Sequence, residues 1–567
     1  MTLQAELARW SRGWRGPAMA ALIAFLAGLP GLIAAPPLDR DESRFAQATA
    51  QMLETGDFVV IRYQDEPRFK KPVGIHWLQA ASVRLLSSPE ARDIWAYRIP
   101  SLLGAMLAAA ACAWGAAAFF GAEAGLLAGA MLGATFMLSS EAMIAKTDAV
   151  LCGTTTLAMA ALGRIYASAR DGPPIGRFTP MAFWLAIGAA TLVKGPVGPM
   201  VAALAMIALA IADRRPAWLG RLNWYWGLIL VAIIVGPWAG AVTVATDGGF
   251  WSQALAGDLA PKLAGGQETH GAPPGYHTLL ASVLLFPMTL LIPAALVAGW
   301  KRRAEPGVRF ALAWLIPTWI VFELLPTKLV HYTLPTYGAV CWLAAAALAA
   351  PLGRRVRIVG AGLSGIIGLL MAGGVCYLVS LYGTAADAFP AILAAGLLAA
   401  AGLAGAYMLI KDRALPALAA ALAFGILGHA VLVAGLAPRL DPLWLSRRTE
   451  AAMAKAQLLP RQGVADAPVT VAGYAEPSLV FALGTETELG GPDDAAQAIV
   501  EHRPAVVEGR QDPAFRQALT ADHVAAQEVA EVKGLDYSDG HKMTLRIYRA
   551  PDNAPPPPGG QPEGGQP

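Results

Sequence analysis

Residues 39–72 read DRDESRFAQATAQMLETGDFVVIRYQDEPRFKKP and follow directly on the first long apolar run of the chain. The stretch opens with charges of both signs and closes with basic residues before a proline: Asp39, Arg40, Asp41, Glu42, Arg44, Arg68, Lys70 and Lys71. Its first half, DESRFAQATAQMLETGD, has the pattern of an amphipathic helix that begins at Asp41 and ends at Gly56. Charges this close to a membrane-length segment need partners or water. We therefore expect a folded polar loop at a membrane surface.

The rest of the chain is strongly apolar. Of its 567 residues, 56% are hydrophobic and 15% are charged, against about a quarter charged in soluble domains. Apolar runs of about 20 residues recur, each long enough to cross a bilayer core of about 30 Å. We predict an all-α polytopic membrane bundle of about 13 transmembrane helices, near residues 17–36, 100–120, 122–142, 148–168, 179–194, 196–213, 223–244, 275–299, 308–325, 331–350, 358–380, 387–410 and 414–436. The cysteines show no ligand spacing that would indicate a zinc site.

The distribution of arginine and lysine predicts the orientation of the bundle. Basic residues precede the first span, which favours a cytoplasmic N-terminus, and an odd number of spans then places the C-terminal region in the periplasm. We predict four regions: a transmembrane domain over 1–440 with its first outer loop at 37–99, an interfacial helix or linker over 441–464, a small periplasmic α/β domain over 465–550, and a disordered tail over 551–567. Within the α/β domain, APVTVAGY, SLVFALG, PAVVEG and KMTLRIYRA predict strands, whereas PDDAAQAIVEH and DPAFRQALTAD predict helices.

Basic residues in the predicted periplasmic loops break the positive-inside rule. They are Arg44, Arg68, Lys70, Lys71, Lys146, Lys194 and Lys328, and the same loops carry Asp41, Glu42, Glu141, Asp148 and Glu323. Snorkelling explains one such lysine, but several on one side indicate a cavity for an anionic headgroup. Asp41 has two interpretations. It is either a helix N-cap or a carboxylate that accepts a proton while Arg44, three residues later, holds a phosphate oxygen.

Five segments, in this order, resemble a known family: DRDESRFAQATAQMLETGDFVV, PRFKKPVGIHWLQ, AKTDAV, LVKGPVG and TKLVHYTLP. The family is the bacterial membrane glycosyltransferases of the 4-amino-4-deoxy-L-arabinose transferase and protein O-mannosyltransferase type. These are GT-C enzymes that use polyprenyl-phosphate-linked sugars. The resemblance implies that Asp41 and Asp148 are the catalytic acidic residues and that Arg44 and Lys71 bind the lipid phosphate. It further implies substrate contacts by His270, Lys328 and Tyr332, and the charges of the predicted outer loops add Glu42, Lys70, Lys146 and Lys194 as candidate substrate-binding residues.

The chain departs from the family pattern at one position. Where such enzymes commonly have Glu-Lys-Pro, this chain has Lys70-Lys71-Pro72, so an acid that could help to hold a metal is replaced by a cation. A metal is therefore not indicated at this position, although a divalent ion elsewhere stays open, and no cofactor is assigned.

The expected function is that of an inner-membrane glycosyltransferase, which moves a sugar from a polyprenyl-phosphate donor to a lipid, glycan or protein acceptor at the periplasmic face. A lipid A-type acceptor is favoured, and no nucleic-acid partner is expected. Two alternatives stay open: a transporter or flippase for an anionic lipid-linked substrate, and a structural subunit whose outer domain binds another envelope protein. Transporters often carry inverted repeats with broken helices, and no such repeat is evident in the sequence.

Overall fold

A computed structural model describes residues 3–38, 40–214, 216–261, 271–463 and 468–551. His270, Asp39 and nearly all of the predicted tail therefore lie outside the described residues. The described part of the chain forms a large helical bundle followed by a small α/β unit.

The described helices of the bundle are named here in chain order. They are α1 (Leu3–Trp10), α2 (Arg15–Ala34), α3 (Asp41–Thr55), α4 (Gly74–Leu86), α5 (Ile94–Phe120), α6 (Ala122–Gly133), α7 (Phe136–Glu141), α8 (Asp148–Ser168), α9 (Phe178–Lys194), α10 (Val197–Asp213), α11 (Trp224–Ala245), α12 (Gly249–Ser252), α13 (Tyr276–Leu284), α14 (Ile292–Lys301), α15 (Pro306–Leu324), α16 (Tyr337–Ala347), α17 (Arg354–Tyr382), α18 (Ala388–Ile410) and α19 (Ala414–Ala430).

Length decides which of these helices can cross a membrane. Eight described spans are long and apolar enough, or nine if the pair Tyr276–Leu284 and Met288–Lys301, bent by 116°, is one span. Four more apolar helices have 10–17 residues: Ala122–Gly133, Phe178–Lys194, Val197–Asp213 and Leu334–Ala347. Seventeen helical residues reach only about 26 Å. The multi-pass helical bundle is thus confirmed, but the predicted number of spans is not.

The run 122–142 shows why a count of apolar runs overstates the count of long helices. Within this run α6 ends at Gly133, and the Thr135 side chain accepts a hydrogen bond from the Leu138 backbone N–H to start α7. A threonine at an N-cap begins a new helix, so one apolar run contains two helices. Run length alone does not reveal such a break.

Helix α3 begins at Asp41 and ends at Gly56, as predicted. Gly56 adopts the left-handed conformation (φ 72°) and its N–H donates to the Met52 carbonyl, a common use of glycine at a helix end. The N-cap residue is Arg40 (φ 60°), and no side chain caps the helix. The interpretation of Asp41 as an N-cap is therefore wrong, and its carboxylate is not committed to a cap.

The α/β unit contains helices α20 (Leu445–Lys455), α21 (Pro477–Leu483), α22 (Pro492–Val500) and α23 (Asp512–Ala521). Its strands are β3 (Thr470–Ala472), β4 (Glu488–Gly490), β5 (Ala505–Glu508), β6 (Gln527–Asp536) and β7 (His541–Arg549), whereas β1 (Arg62–Tyr63) and β2 (Glu66–Pro67) form a hairpin in the first loop. The sheet order is β4-β3-β5-β7-β6, parallel over β4-β3-β5 and antiparallel elsewhere. Leu445 and Met453 of α20 share one core with Val471 and Leu545.

One element of the α/β unit differs from its prediction. SLVFALG was expected to be a strand, but Pro477–Leu483 is helix α21. A short apolar run carries no periodicity that separates helix from strand, and proline suits the first helical turn. The predicted helices PDDAAQAIVEH and DPAFRQALTAD are confirmed as α22 and α23.

The α/β unit packs on helix α3 of the first loop. Arg92 donates to Gln47 Oε1 at 2.7 Å and to Glu54 Oε1 at 2.6 Å. Gln47 in turn donates from Nε2 to the Thr485 hydroxyl of the α/β unit at 2.7 Å. The rings of Phe481 and Tyr97 pack edge to face, with their centres 5.4 Å apart. The helix that carries Asp41 is therefore held between the bundle and the α/β unit.

Candidate functional site

A buried ion pair fixes the start of α3. Glu42 and Arg98 both have fully buried side chains. Arg98 Nε donates to Glu42 Oε1 and Arg98 Nη2 donates to Glu42 Oε2, both at 2.8 Å. The same carboxylate accepts the backbone N–H groups of Leu38, at 2.8 Å, and Ala145, at 2.7 Å. Every oxygen of Glu42 is thus engaged by the protein itself, which is the arrangement that a buried carboxylate requires.

Arg98 also forms hydrogen bonds at the C-terminal end of the first membrane helix. It donates to the carbonyl oxygens of Ala35, at 2.6 Å, and Pro36, at 2.8 Å. These carbonyls follow helix α2, whose last carbonyl groups lack partners inside the helix. The sequence analysis did not single out Arg98. The available signal was an arginine inside the apolar segment IWAYRIPSLL, because such a residue needs a buried partner.

Five side chains form what we term the charge cluster: Glu141, Lys146, Asp148, Lys194 and His331. Lys146 Nζ lies 2.9 Å from Glu141 Oε1 and 3.8 Å from Asp148 Oδ2. Lys194 Nζ pairs with Asp148 Oδ1, and His331 Nε2 lies 3.4 Å from that same oxygen. The two acids and the two lysines together carry no net charge, which makes their burial tolerable.

The charge cluster borders a cavity of about 270 Å³. The polar side chains that line this cavity include Lys70, Lys71, Asp148, Lys194, His331 and Tyr332, and its apolar wall includes Phe250, Trp251, Leu255 and Phe322. The Lys194 ammonium lies 5.8 Å from the centre of the Tyr332 ring. A cavity with cations and an apolar wall suits a ligand with an anionic head and an apolar tail.

The aromatic ring of Phe45, in α3, lies against Lys71, one of the cations that line the cavity. The Lys71 ammonium lies 5.0 Å from the centre of the buried Phe45 ring, and the Arg68 guanidinium lies 5.4 Å from it. His76 stacks on the same ring at 5.4 Å, and its Nδ1 is 2.8 Å from the Thr49 hydroxyl. Burial lowers the pKa of His76 to about 3. The imidazole is therefore neutral and acts as a packing partner of Phe45.

Asp41 and Lys71 are electrostatically coupled. Burial, followed by the charge of Lys194, lowers the pKa of Lys71 to about 8. Burial raises the pKa of Asp41, but the positive charges of Lys71 and Lys146 outweigh burial and hold this pKa below its ordinary value of 3.8. Asp41 is thus ionised at neutral pH, and part of its stabilisation comes from a lysine that lines the cavity.

Not all predicted site residues meet at the cavity. Lys328 Nζ donates to the carbonyl oxygens of Ala272, at 2.8 Å, and Leu325, at 2.5 Å. The ammonium group of Lys328 is therefore bound by the backbone of the protein itself. Arg44 belongs to the charged surroundings of Tyr63 and Glu476. His331 was part of the quoted segment TKLVHYTLP but was not singled out. Its neighbour Tyr332, together with Lys70, Lys71, Lys146, Lys194 and Asp148, is found at the cavity or in the charge cluster.

The polar groups do not fit a metal site. In the described part of the chain no group of three or more His, Cys, Asp or Glu side chains is arranged to hold a metal ion. Lys70, Lys71 and Lys194 line the cavity instead, and ammonium groups repel a divalent cation. These cations suit an anion directly.

Comparisons with known proteins give consistent similarities. The family model described as dolichyl-phosphate-mannose-protein mannosyltransferase matches residues 70–240. The undecaprenyl phosphate-alpha-4-amino-4-deoxy-L-arabinose arabinosyl transferase of Aeromonas salmonicida is 27% identical over 346 residues, which cover 59% of this chain and 62% of that protein. The enzyme of the same name from Edwardsiella ictaluri is 26% identical over 64% of each chain. The match thus spans less than two thirds of the length of these curated relatives.

The fold is similar over nearly the whole chain. The crystal structures of ArnT from Cupriavidus metallidurans, in the apo state and bound to undecaprenyl phosphate, superpose with a TM-score of 0.73. They cover 94% of this chain and 96% of ArnT at 20% sequence identity. In fold and in part of its sequence, the chain is similar to polyprenyl-phosphate-dependent GT-C glycosyltransferases of the 4-amino-4-deoxy-L-arabinose transferase type.

Proposed function

We propose that this chain is an integral inner-membrane glycosyltransferase that moves a sugar from a polyprenyl-phosphate donor to an acceptor at the periplasmic face. The observation that carries the proposal is one cavity lined both by Lys71, Lys194 and Asp148 and by an apolar wall. A polyprenyl-phosphate donor has an anionic phosphate that suits the charged side chains and an apolar tail that suits the apolar wall. The similar arabinosyl transferases are named for an undecaprenyl phosphate-linked sugar, which supports a polyprenyl-phosphate donor, and we take a lipid A-type acceptor as the first candidate before a glycan or a protein.

The cavity suggests how the donor binds. Its phosphate lies against Lys71 and Lys194, and its first isoprenoid units lie along Phe250, Trp251 and Leu255. Positively charged groups that face the phosphate stabilise it more as the glycosidic bond breaks, because negative charge then builds up on the leaving oxygen. The Phe45 ring positions the Lys71 ammonium for this contact.

Asp41 acts on the acceptor. Its low pKa keeps it ionised in the free protein, so that it orients the acceptor hydroxyl by accepting its hydrogen bond. Once a donor phosphate neutralises Lys71, the charge that depresses the pKa of Asp41 is compensated and Asp41 becomes a better base. The acceptor oxygen then bonds to the anomeric carbon and its proton passes to Asp41. The carbon–oxygen bond to the phosphate breaks with its electrons on the polyprenyl phosphate, and a single displacement inverts the anomeric centre.

Glu42 and Lys328 have supporting roles in this proposal. Glu42 fixes the start of α3 through Arg98, and Lys328 holds two backbone carbonyls beside the segment that carries His331 and Tyr332. Arg44 lies on the side of α3 that faces the α/β unit through Glu476, where it meets the acceptor rather than the donor phosphate.

The test compares Asp41→Asn with Asp65→Asn, an exposed residue of the same loop. Transfer is measured in membranes with a polyprenyl-phosphate sugar and lipid A. We expect Asp41→Asn to reduce the transfer rate by about 10²–10⁴-fold without loss of undecaprenyl phosphate binding, and Asp65→Asn to behave like the parent. Full transfer by Asp41→Asn would refute the role of Asp41. Lipid translocation in vesicles without any sugar transfer would favour a flippase.

A further inference from the structure

A second cavity, of about 630 Å³, lies at the other end of the bundle. It is bordered by α8 near Arg164, sixteen residues after Asp148 on the same helix, which corresponds to about 24 Å along its axis. The wall consists mainly of small and apolar residues, and helix α5 contributes Ala110, Ala111 and Ala117 among them. Trp14, just before α2, and Gly16 and Pro17 in its first turn line another side. The proposed transferase mechanism makes no use of this cavity.

Arg164 is an incompletely paired cation in this apolar wall. Its side chain is half-buried, Nη1 donates to the Trp114 carbonyl at 3.0 Å, and the guanidinium lies 4.8 Å from the centre of the Trp114 ring. No carboxylate of the described residues forms an ion pair with it. A guanidinium has five N–H donors, so most of them have no protein acceptor here.

A comparison with Arg98 shows why this arrangement is unusual. Arg98 also lies in a membrane helix, but it has the Glu42 carboxylate and several carbonyl oxygens as partners. A half-buried arginine in a membrane helix without a counter-ion is costly. The structure therefore points to an anion from outside the chain.

We propose that this cavity binds an anionic phospholipid, whose phosphate pairs with Arg164 and whose acyl chain lies against the alanines of α5. Arginine and phosphate form bidentate, charge-assisted hydrogen bonds, and the small side chains leave room for a chain. The exposed residues Arg12 and Arg15 alternate with cavity residues Ser11, Gly13 and Trp14, and basic residues next to a membrane helix attract anionic lipid. The inference goes beyond the proposed transferase function and does not depend on it.

The test is native mass spectrometry of the full chain in detergent, after incubation with phosphatidylglycerol or phosphatidylcholine. Both lipids have a phosphate, but only phosphatidylglycerol has a net negative charge. We expect phosphatidylglycerol to be retained in preference, and Arg164→Gln to reduce its retention by about five-fold or more. The matched control is Arg303→Gln. Arg303 makes the same two contacts with a tryptophan, at 2.6 Å to the Trp300 carbonyl and 4.7 Å to its ring centre, but it is exposed and lines no described cavity.

A second variant keeps the test informative if Arg164→Gln does not fold. Ala110→Phe fills the cavity and retains the arginine, so it should also lose the lipid. Arg164→Lys retains the charge and should retain most of the binding. Unchanged retention by Ala110→Phe or Arg164→Gln, equal retention of the two phospholipids, or preferential retention of undecaprenyl phosphate at this site would each overturn the proposal.

Discussion

Arg98 and Glu42, 56 positions apart in the chain, form a two-point ion pair in which both side chains are fully buried. The pair joins the end of α2 to the start of α3. The position of Asp41, one residue before Glu42, therefore depends on a contact that is made inside the protein.

Glu42→Gln should destabilise the protein strongly, because it leaves the Arg98 charge buried without a carboxylate. We expect a loss of about 3–5 kcal/mol in the free energy of unfolding, measured by thermal unfolding in detergent. The matched control is Glu305→Gln. Glu305 pairs with Arg302 at 2.8 and 2.7 Å in the same two-point geometry, but on the surface, so its loss should cost about 1 kcal/mol or less. Equal effects would contradict the inferred role of burial.

The pH dependence of transfer should report the state of Lys71. A phosphate is bound by the protonated amine, so kcat/KM should fall as the pH rises through the pKa of about 8. A guanidinium stays protonated over this range, so Lys71→Arg should move the fall to higher pH even if its rate is lower. The surrounding charges of Lys194, Asp41, Asp148 and Arg68 are unchanged in this variant. An identical alkaline fall in both proteins would exclude Lys71 as its origin.

Asp148→Asn should impair both stability and transfer, because it removes the shared partner of Lys146 and Lys194. We expect a loss of transfer of about 100-fold or more. The control is Asp213→Asn. Asp213 is as buried as Asp148 and also pairs with two cations, Arg170 and Arg309. Both variants should lower the unfolding temperature, but only Asp148→Asn should weaken undecaprenyl phosphate binding. A matching loss of binding in Asp213→Asn would show that general destabilisation is the cause.

Arg92→Met should loosen the α/β unit from helix α3. Arg92 links Gln47 and Glu54 of α3 near Thr485, so hydrogen exchange in Pro477–Leu483 should become about ten-fold faster, equivalent to about 1.4 kcal/mol. Arg503→Met removes an arginine whose partners, Glu488 and Glu501, lie within the α/β unit. That variant should leave the exchange of Pro477–Leu483 unchanged. Unaltered exchange in Arg92→Met would mean that other contacts are sufficient for docking.

Local features of the sequence determined the secondary structure of the first loop and the class of the fold. The bounds of α3 follow from the charged start and from Gly56, since a glycine in the left-handed conformation ends a helix at little cost. Repeated apolar runs indicated a helical membrane bundle because the bilayer thickness sets a length. The exact number of spans could not be read in this way, because breaks such as that at Thr135 depend on a single cap.

The tertiary structure alone decided which charges share the site. Sequence analysis grouped Glu42, Lys328, Lys71 and Asp148 together, because all are charged residues of predicted outer loops. Packing engages Glu42 with Arg98 and Lys328 with backbone carbonyls, whereas Lys71 and Asp148 line one cavity. A pairing between residues so distant in the chain depends on how the helices pack, and that arrangement is not encoded in any local pattern.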